Sequence, residues 1–335
     1  MRYTITPLKC LVILAGIAGS FMSFAINSKT IEDQAESSIS ALYHRLKAMP
    51  NTSMTERIDW FSEQFKGRAY LLGSLGEGPN ARYDQYPRYR TDAFDCDTYV
   101  NTVLALALAN SLKTFQECLK YTRYQDGKIA YIHRNHFTSI DWNKNNQQRG
   151  MLKDITLDIK NEDNKPVAQF AHTMIDKANW YAYKTVSTIR LQKENKAEQQ
   201  KRLTELKAKM KDFKPTPSDI PYIPLSALFF ADNTPNQYLF TQIPQGAIIE
   251  IIRPNWDLRQ QIGTALNVSH LGFAIWKKDQ LYYREASSQL GAVVDVPFIQ
   301  YLKEAKKSPT IKGINVQVMV PVKPVVADCS DLKQN

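Results

Sequence analysis

Cys96 is the residue whose type and local setting best suit nucleophilic chemistry. The residues after it, 97–112, are apolar almost all round, which predicts a buried helix that starts at Asp95 or Asp97. The first turn of a helix has unpaired N–H groups and the positive end of the helix dipole, and both favour a thiolate and a developing oxyanion. Because the thiolate is the nucleophilic form of cysteine, Cys96 is a candidate nucleophile. The alternative is a buried structural cysteine.

The candidate partner of this thiol is His270, which opens a predicted strand of sequence HLGFAIW. A histidine at the start of a strand can face a cleft while the apolar residues after it pack in the core. It could accept the thiol proton if folding brings it near Cys96. The alternative is a histidine on the surface, or one satisfied by its neighbours, with no part in chemistry.

Four segments resemble motifs of the NlpC superfamily of bacterial cell-wall cysteine peptidases, which have a papain-like fold. The segment around Cys96 resembles Asp-Cys-Ser-Gly-Leu-Val, and the segment around His270 resembles His-Val-Gly-Ile-Tyr. Two others resemble Tyr-x-x-Gly and Pro-Gly-Asp-Leu-Val. The matching residues are 94–100, 269–275, 70–73 and 243–249. A cysteine on a helix start, followed much later by a histidine on a strand, is also the papain-like order.

A narrower resemblance is to the N-acetylmuramoyl-L-alanine amidase-like family, a largely uncharacterised secreted branch. Residues 95–107 are similar to its cysteine helix, and residues 134–142 are similar to its His-Tyr-x-x-x-Asp-Trp type segment. The resemblance extends from about residue 70 to about residue 321. The charged stretch 184–214 does not obviously belong to it.

The resemblance implies a role for three catalytic residues. Cys96 would be the nucleophile, and His270 the general base that later acts as the acid for the leaving amine. The third polar residue of the superfamily lies on the next strand, which here corresponds to residues 283–287. Glu285 stands where the family often has histidine, and a carboxylate there could orient the imidazole. Alternatively, Glu285 pairs with Arg284 or faces solvent.

The same resemblance implies four substrate-binding residues. Tyr70 would lie beside the nucleophile and help to hold the oxyanion, or it is a core tyrosine. Asp95 matches an acid that receives a substrate ammonium in dipeptidyl relatives, or it is a plain helix cap. Asp97 replaces the usual serine after the cysteine, so the substrate preference of the relatives does not carry over. His136 would line the cleft. We expect no metal or other cofactor.

The coarse pattern predicts an α+β domain in which helices precede an antiparallel sheet. Residues 31–49 form a helical stripe, and a capping box at Ser53 and Glu56 opens a second helix that ends near residue 66. Residues 184–214 predict an exposed helix or pair of helices inserted into the domain, and the prolines of 215–224 predict a stiff loop. A short helix is expected after Pro297. The predicted strands are 247–252, 270–276, 281–285 and 315–320.

The N-terminal segment and the cysteine count predict export. Residues 1–25 have a basic start, a short apolar run and small residues before position 26, which is typical of a cleaved secretory signal. An uncleaved anchor is the alternative. Loss of this segment removes two basic and no acidic residues, so the net charge falls from +10 to +8. Three cysteines remain, and Cys118 could pair with Cys329.

These observations predict a secreted cysteine hydrolase, periplasmic or extracellular, that cleaves an amide bond in peptidoglycan or muropeptides. We expect residues 26–335 to form one NlpC-like papain-fold domain, with N-terminal helices at 26–67, the insert at 184–214 and no membrane span after signal cleavage. Export makes nucleic acid an improbable partner. The alternatives are a non-catalytic module that binds envelope glycan or protein, and an acyltransferase or lipid hydrolase on the same scaffold.

Overall fold

The computed structural model describes residues 27–49, 52–325, 329–330 and 332. The predicted signal segment, 1–25, lies outside these residues. The α-helices of the described chain are α1 (Ser28–Leu46), α2 (Met54–Gln64), α3 (Cys96–Leu108), α4 (Leu112–Arg123), α5 (Asn143–Gln148), α6 (Lys177–Ala182), α7 (Lys196–Met210), α8 (Leu225–Leu228), α9 (Gln237–Phe240), α10 (Arg259–Ile262) and α11 (Phe298–Ala305). A π-helix covers Thr138–Trp142.

The strands form one large sheet. They are β1 (Ala69–Tyr70), β2 (Ala93–Phe94), β3 (Leu152–Asp154), β4 (Gln169–Ile175), β5 (Thr216–Pro224), β6 (Ile248–Leu258), β7 (Thr264–Lys277), β8 (Gln280–Ser287), β9 (Ala292–Pro297) and β10 (Gly313–Met319). Their order is β2-β1-β9-β8-β7-β6-β10-β5-β4, and β3 pairs with β10. The pair β1–β2 is parallel and the other pairs of the described strands are antiparallel, so the sheet is mixed.

Local signals position the helices that precede the site. The capping box predicted at the start of α2 is confirmed, because the Ser53 hydroxyl accepts from the Glu56 N–H and the Glu56 carboxylate accepts from the Ser53 N–H. The predicted buried helix is α3, in which Val100 and Val103 are 0% exposed. It ends at Leu108, and a separate helix, α4, follows.

Two cores flank the sheet. Along β6, Ile248 and Ile252 pack in the cluster that contains α1 to α4, while Ile249 and Ile251 pack in the cluster that contains α8, α9 and α11. Alternate side chains of a strand point to opposite faces, so helices cover both faces of the sheet at this strand. The described chain therefore has α+β architecture with a large mixed sheet, and the predicted class is correct at this level.

The predicted loop at residues 215–224 is wrong, because these residues form β5. The strand pairs with β4 over residues 216–222, whereas β10 contacts it only at Ile223 and Pro224. Most of β5 therefore has one side free of ladder hydrogen bonds. A strand with an unpaired side tolerates proline, which has no N–H to donate.

The predicted helical insert is only partly helical. The helix is α7, with Asn195 as its N-cap, whereas residues 184–195 contain only a short 3₁₀ turn at Val186–Thr188. Arg190 instead runs beside the loop at Tyr83, with its N–H donating to the Tyr83 carbonyl over 3.0 Å. Leu206 of α7 is fully buried, so this charged helix also has an apolar contact with the body of the protein.

Cys118 and Cys329 form a disulfide that links α4 to a residue 211 positions later. This pairing was left open by the sequence. Among the described residues, Cys96 is the free cysteine. Within the same part of the chain, every helix is too short or too polar to cross a membrane.

Candidate active site

Strand β2 delivers Cys96 to the start of α3. Phe94, the last residue of β2, is fully buried, and Asp95 is the N-cap between the strand and the helix. The Asp95 carboxylate accepts from the Thr98 N–H at 2.8 Å, which fixes the first turn. Cys96 is the first helical residue and is partly exposed, so its thiol lies where the helix N–H groups are unpaired.

Asp95 also holds the turn that follows β1. Its second carboxylate oxygen accepts from the Gly73 N–H at 2.7 Å. Tyr70 of β1 pairs with Phe94 of β2, which places the phenol close to the helix start. Burial raises the pKa of Tyr70, and the nearby Cys96 and Asp95 raise it further, so the hydroxyl keeps its proton at neutral pH.

His270 and Glu285 come together from adjacent strands. His270 lies on β7 and Glu285 on β8, and the imidazole Nε2 hydrogen-bonds the buried Glu285 carboxylate. Cys96 lies close enough to the imidazole to affect its pKa. Burial alone would lower the pKa of His270, but the Glu285 carboxylate and Cys96 outweigh it and hold that pKa well above its ordinary value. These three side chains, predicted from separate segments, form one group.

Tyr283 supports this group and was not singled out from the sequence. Its ring meets the His270 ring edge to face, with centroids 5.9 Å apart, and its hydroxyl donates to the Ile249 carbonyl over 3.3 Å. Gly272 leaves the space that this ring occupies, because a Cβ there would lie 2.6 Å from a Tyr283 ring carbon. Tyr283 and Glu285 are two residues apart on one strand and so lie on the same face of the sheet, and this spacing is the signal that could have revealed Tyr283.

Asp97 lies on the other side of the helix start. It is half-buried, and its carboxylate accepts from the Asn101 amide at 3.0 Å, while Asn101 in turn accepts from the Trp142 indole at 2.8 Å. Burial and the charge of Asp95 raise the pKa of Asp97 to about 6. Asp97 therefore points toward the π-helix segment rather than joining His270 and Glu285.

His136 lies in a separate aromatic cluster. Its Nε2 bonds the Tyr131 carbonyl at 2.8 Å, and its ring packs against Tyr131 and Trp180 with centroids 4.6 and 4.8 Å away. Burial lowers the pKa of His136 well below its ordinary value, and the nearby charges of Arg134 and Lys184 lower it further. The imidazole is therefore neutral at pH 7.

A cavity of about 360 Å³ begins at His270 and Glu285. Strands β6 to β9 and helix α11 form its walls, and the lining contains polar and apolar side chains in similar numbers. Sequence reasoning did not identify this cavity. Among the described residues, no group of three or more histidine, cysteine, aspartate and glutamate side chains is placed to hold a metal ion.

The chain is similar to one known family and to several solved structures. A model of the N-acetylmuramoyl-L-alanine amidase-like family matches residues 60–311. The crystal structure of protein LPG0564 from Legionella pneumophila str. Philadelphia 1, assigned to a domain family of unknown function, is 64% identical. It matches with a TM-score of 0.87 over 90% of this chain and 100% of that one. Among curated proteins, none matches the chain.

Two more distant structures have a similar fold. An N-acetylmuramoyl-L-alanine amidase from Bacteroides uniformis ATCC 8492 matches with a TM-score of 0.56 and 24% identity, over 80% of this chain and 99% of that one. A putative xylanase from Bacteroides fragilis matches with a TM-score of 0.52 and 25% identity, over 77% and 99%. Since the family model covers most of the chain, the chain belongs to the N-acetylmuramoyl-L-alanine amidase-like family.

Proposed function

We propose that the protein is an exported cysteine hydrolase of the papain-like NlpC type that cleaves an amide bond in peptidoglycan or muropeptides. The observation that carries the proposal is that Cys96, at the start of α3, lies close to the His270 imidazole, which is hydrogen-bonded to Glu285. The family name supports one bond in particular, the amide between an N-acetylmuramoyl group and L-alanine, and we propose that bond.

Cys96 and His270 are proposed to act as a thiolate–imidazolium pair. Glu285 occupies one nitrogen of the imidazole and raises its pKa, so the ring holds a proton at neutral pH. The positive ring and the positive end of α3 both stabilise the thiolate beside them. Glu285 thereby takes the part that an acid plays in a serine triad, where it orients the ring and stabilises its charge.

The reaction proceeds in two steps. In the first, the Cys96 thiolate attacks the amide carbonyl carbon, and His270 gives its proton to the amide nitrogen as the C–N bond breaks. The products are a free amine and a thioester on Cys96. In the second step, His270 takes a proton from water as the water oxygen attacks the thioester carbonyl, the C–S bond breaks, and the carboxylic acid leaves as the thiolate–imidazolium pair is restored.

The N–H groups of Cys96 and Asp97, which precede the capped Thr98 N–H, are proposed to bind the oxyanion that forms in both steps. The Tyr70 hydroxyl is proposed as a further donor, because its raised pKa keeps it protonated. Asp95 acts mainly as a positioning residue, since its two oxygens bind the helix N-terminus and the Gly73 N–H. A substrate contact at Asp95, Asp97 or His136 stays a prediction.

Export also stays a proposal. We propose that residues 1–25 are a cleaved signal and that residues 26–335 are one domain, with α1, α2 and the α7 segment as additions to it. The Cys118–Cys329 disulfide is compatible with an extracytoplasmic location, because disulfides persist in oxidising compartments. Peptidoglycan is a substrate that such a compartment contains.

The test is turnover of purified muropeptides by residues 26–335, with products read by mass. We expect the wild type to release a peptide from the muramoyl group and Cys96→Ala to lose at least about 1,000-fold in rate. The variant should melt at the same temperature as the wild type, because a partly exposed thiol is removed. Retained turnover in a folded Cys96→Ala protein would refute the cysteine mechanism. Turnover of a different amide would keep the mechanism and correct the bond.

A further inference from the structure

We infer that a second cavity, which residues 77–83 and 129–132 line together with Lys209 of α7, binds a neutral N-acetylated sugar of a glycan strand. The inference rests on the proposed function, which supplies the glycan, and adds a part of the substrate that lies away from the cleaved amide.

The cavity is separate from the proposed active site. It has a volume of about 570 Å³, and Arg88 completes its lining. Sites for small ligands typically have volumes of about 300–1,000 Å³. The proposed catalytic side chains lie outside this lining. Helix α7, which is part of the charged stretch, therefore helps to build a second concave surface.

A short stretch of chain connects this cavity with the start of α3. The Gly73 N–H bonds the carboxylate of Asp95, the residue before the nucleophile, and Glu77 lines the cavity four residues after Gly73. Four residues span at most about 14 Å. Arg134 bonds Glu77, and its charge also lowers the pKa of Asp97, the residue after the nucleophile. One glycan strand could therefore extend from the nucleophile to the cavity.

Glu77 supplies a buried polar atom that lacks a partner. The residue is 7% exposed, and its Oε1 accepts from the Arg134 Nε at 2.8 Å and from the Tyr124 hydroxyl at 3.3 Å. Within the part of the chain that the structure describes, Oε2 has no hydrogen-bond partner. Buried polar atoms normally have one, which a ligand or water supplies where the protein does not. A hydroxyl group suits this atom, because it can both donate and accept.

The cations of the lining already have acidic partners. Arg82 and Lys209 pair with Glu205 at 2.5 and 2.9 Å, and Arg88 pairs with Glu32 at 2.8 Å. An anionic ligand would compete with these carboxylates, whereas a neutral ligand leaves the ion pairs intact. The remaining N–H groups of the two arginines can still donate to neutral oxygen atoms. The cavity therefore favours a neutral polar ligand over a charged one.

Apolar side chains lie beside these polar groups. Ile129 is 41% exposed, Ile132 is half-buried, and the amide of Asn80 is exposed on the opposite loop. A sugar ring has a face of C–H groups and a rim of hydroxyl groups, and an N-acetyl group adds a methyl beside an amide. The isoleucines would pack against the C–H face or the methyl, while Asn80 would bond the rim. A ligand that combines these features is an N-acetylated sugar.

The first test is binding of the N-acetylglucosamine tetramer, which lacks the muramoyl–peptide bond, measured by calorimetry. The wild type should bind it. Ile129→Asp should weaken binding at least about tenfold, because the charge would lose water against an apolar face. Asn80→Ala should weaken it about fivefold through lost hydrogen bonds. Leu157→Asp is the matched control, since Leu157 is an exposed leucine outside the cavity, and it should bind as the wild type does.

The second test is the turnover of muropeptides that carry one or two disaccharide units. The longer substrate should have a KM about tenfold lower with a similar kcat, because contacts away from the reacting atoms bind the ground state and the transition state alike. Ile129→Asp should lose this advantage and Leu157→Asp should keep it. Both positions are exposed, so equal melting temperatures are expected for the three proteins.

The outcomes separate the two proposals. Tetramer binding that depends on Ile129, without turnover of any muropeptide, would keep the sugar site and refute the hydrolase. Turnover that depends on Cys96, with no tetramer binding and no preference for the longer substrate, would keep the hydrolase and overturn the sugar site. Tetramer binding that is equal in the wild type, Ile129→Asp and Asn80→Ala would also overturn it. Displacement of the tetramer by L-alanyl-D-glutamate would assign the cavity to peptide and overturn it as well.

Discussion

Compared with the wild type, the Glu250→Gln variant should gain unfolding free energy as the pH rises from 5 to 8. Glu250 is fully buried on β6, and burial raises its pKa from 4.5 to about 8. Its carboxyl accepts from Gln317 at 2.7 Å and from Asn143 at 3.2 Å. The Asn143 Oδ1 atom is buried without a hydrogen-bond partner, and a 180° flip of this amide would let a protonated Glu250 donate to it.

The sign and size follow from linkage between protonation and folding. Because the folded pKa is raised, the folded state binds a proton that the unfolded state releases above pH 4.5. The contribution of Glu250 protonation to the free energy of unfolding is therefore largest below pH 4.5 and is lost as the pH rises toward 8. A shift of about 3.5 pKa units corresponds to about 5 kcal/mol in total, of which roughly 3 kcal/mol is lost between pH 5 and pH 8.

The assay is urea unfolding of the wild type and of Glu250→Gln at pH 5 and pH 8. The unfolding free energy of the variant minus that of the wild type should rise by roughly 3 kcal/mol from pH 5 to pH 8. A constant offset from altered hydrogen bonds cancels in this comparison. Glu194→Gln, at an exposed site, should show no such shift. A difference that stays constant with pH would refute the assignment of a neutral buried carboxyl.

Three further predictions concern the site and the disulfide. Glu285→Gln should lower the pKa of His270, and alkylation of the Cys96 thiol at pH 7 should slow about tenfold for each pKa unit lost. A pH–rate profile with iodoacetamide measures this change. An unshifted profile would contradict the proposed thiolate–imidazolium pair. Cys118→Ser or Cys329→Ser should lose up to about 5 kcal/mol of unfolding free energy. Dithiothreitol should erase that difference, and its persistence would point to a cause other than the covalent link. Gly272→Ala should cost about 1–3 kcal/mol because its Cβ would lie 2.6 Å from a tyrosine ring carbon. Calorimetry reads this cost as a lower Tm, and an unchanged Tm would show that both the ring and the Arg284 carbonyl, 2.7 Å from the added Cβ, can move aside.

Features set by neighbouring residues could be predicted from the sequence. Two helix starts depend on side chains three residues apart, and both occur as expected. They are the capping box at Ser53 and Glu56 and the cap at Asp95. The apolar pattern after Cys96 likewise predicted a buried helix. The grouping of Cys96 with His270 was a different kind of prediction, because it depended on family resemblance rather than on local rules.

Features set by strand pairing could not be predicted in this way. The prolines of 215–224 indicated a loop, and only the partial pairing of that segment explains a strand there. The extended path at Arg190 depends on a contact with Tyr83, more than 100 residues away. The cavity beside His270 requires the register of four strands and the position of α11, which no local pattern contains.

The link between Cys118 and Cys329 has a consequence for how the protein is made. A ribosome or translocon delivers the chain from its N-terminus, so Cys118 emerges 211 residues before its partner. Until then, both Cys118 and Cys96 are thiols, and a premature bond between them would occupy the proposed nucleophile. Correct pairing therefore requires that α3 and α4 bury Cys118 early, or that an isomerase exchanges the wrong bond after Cys329 arrives.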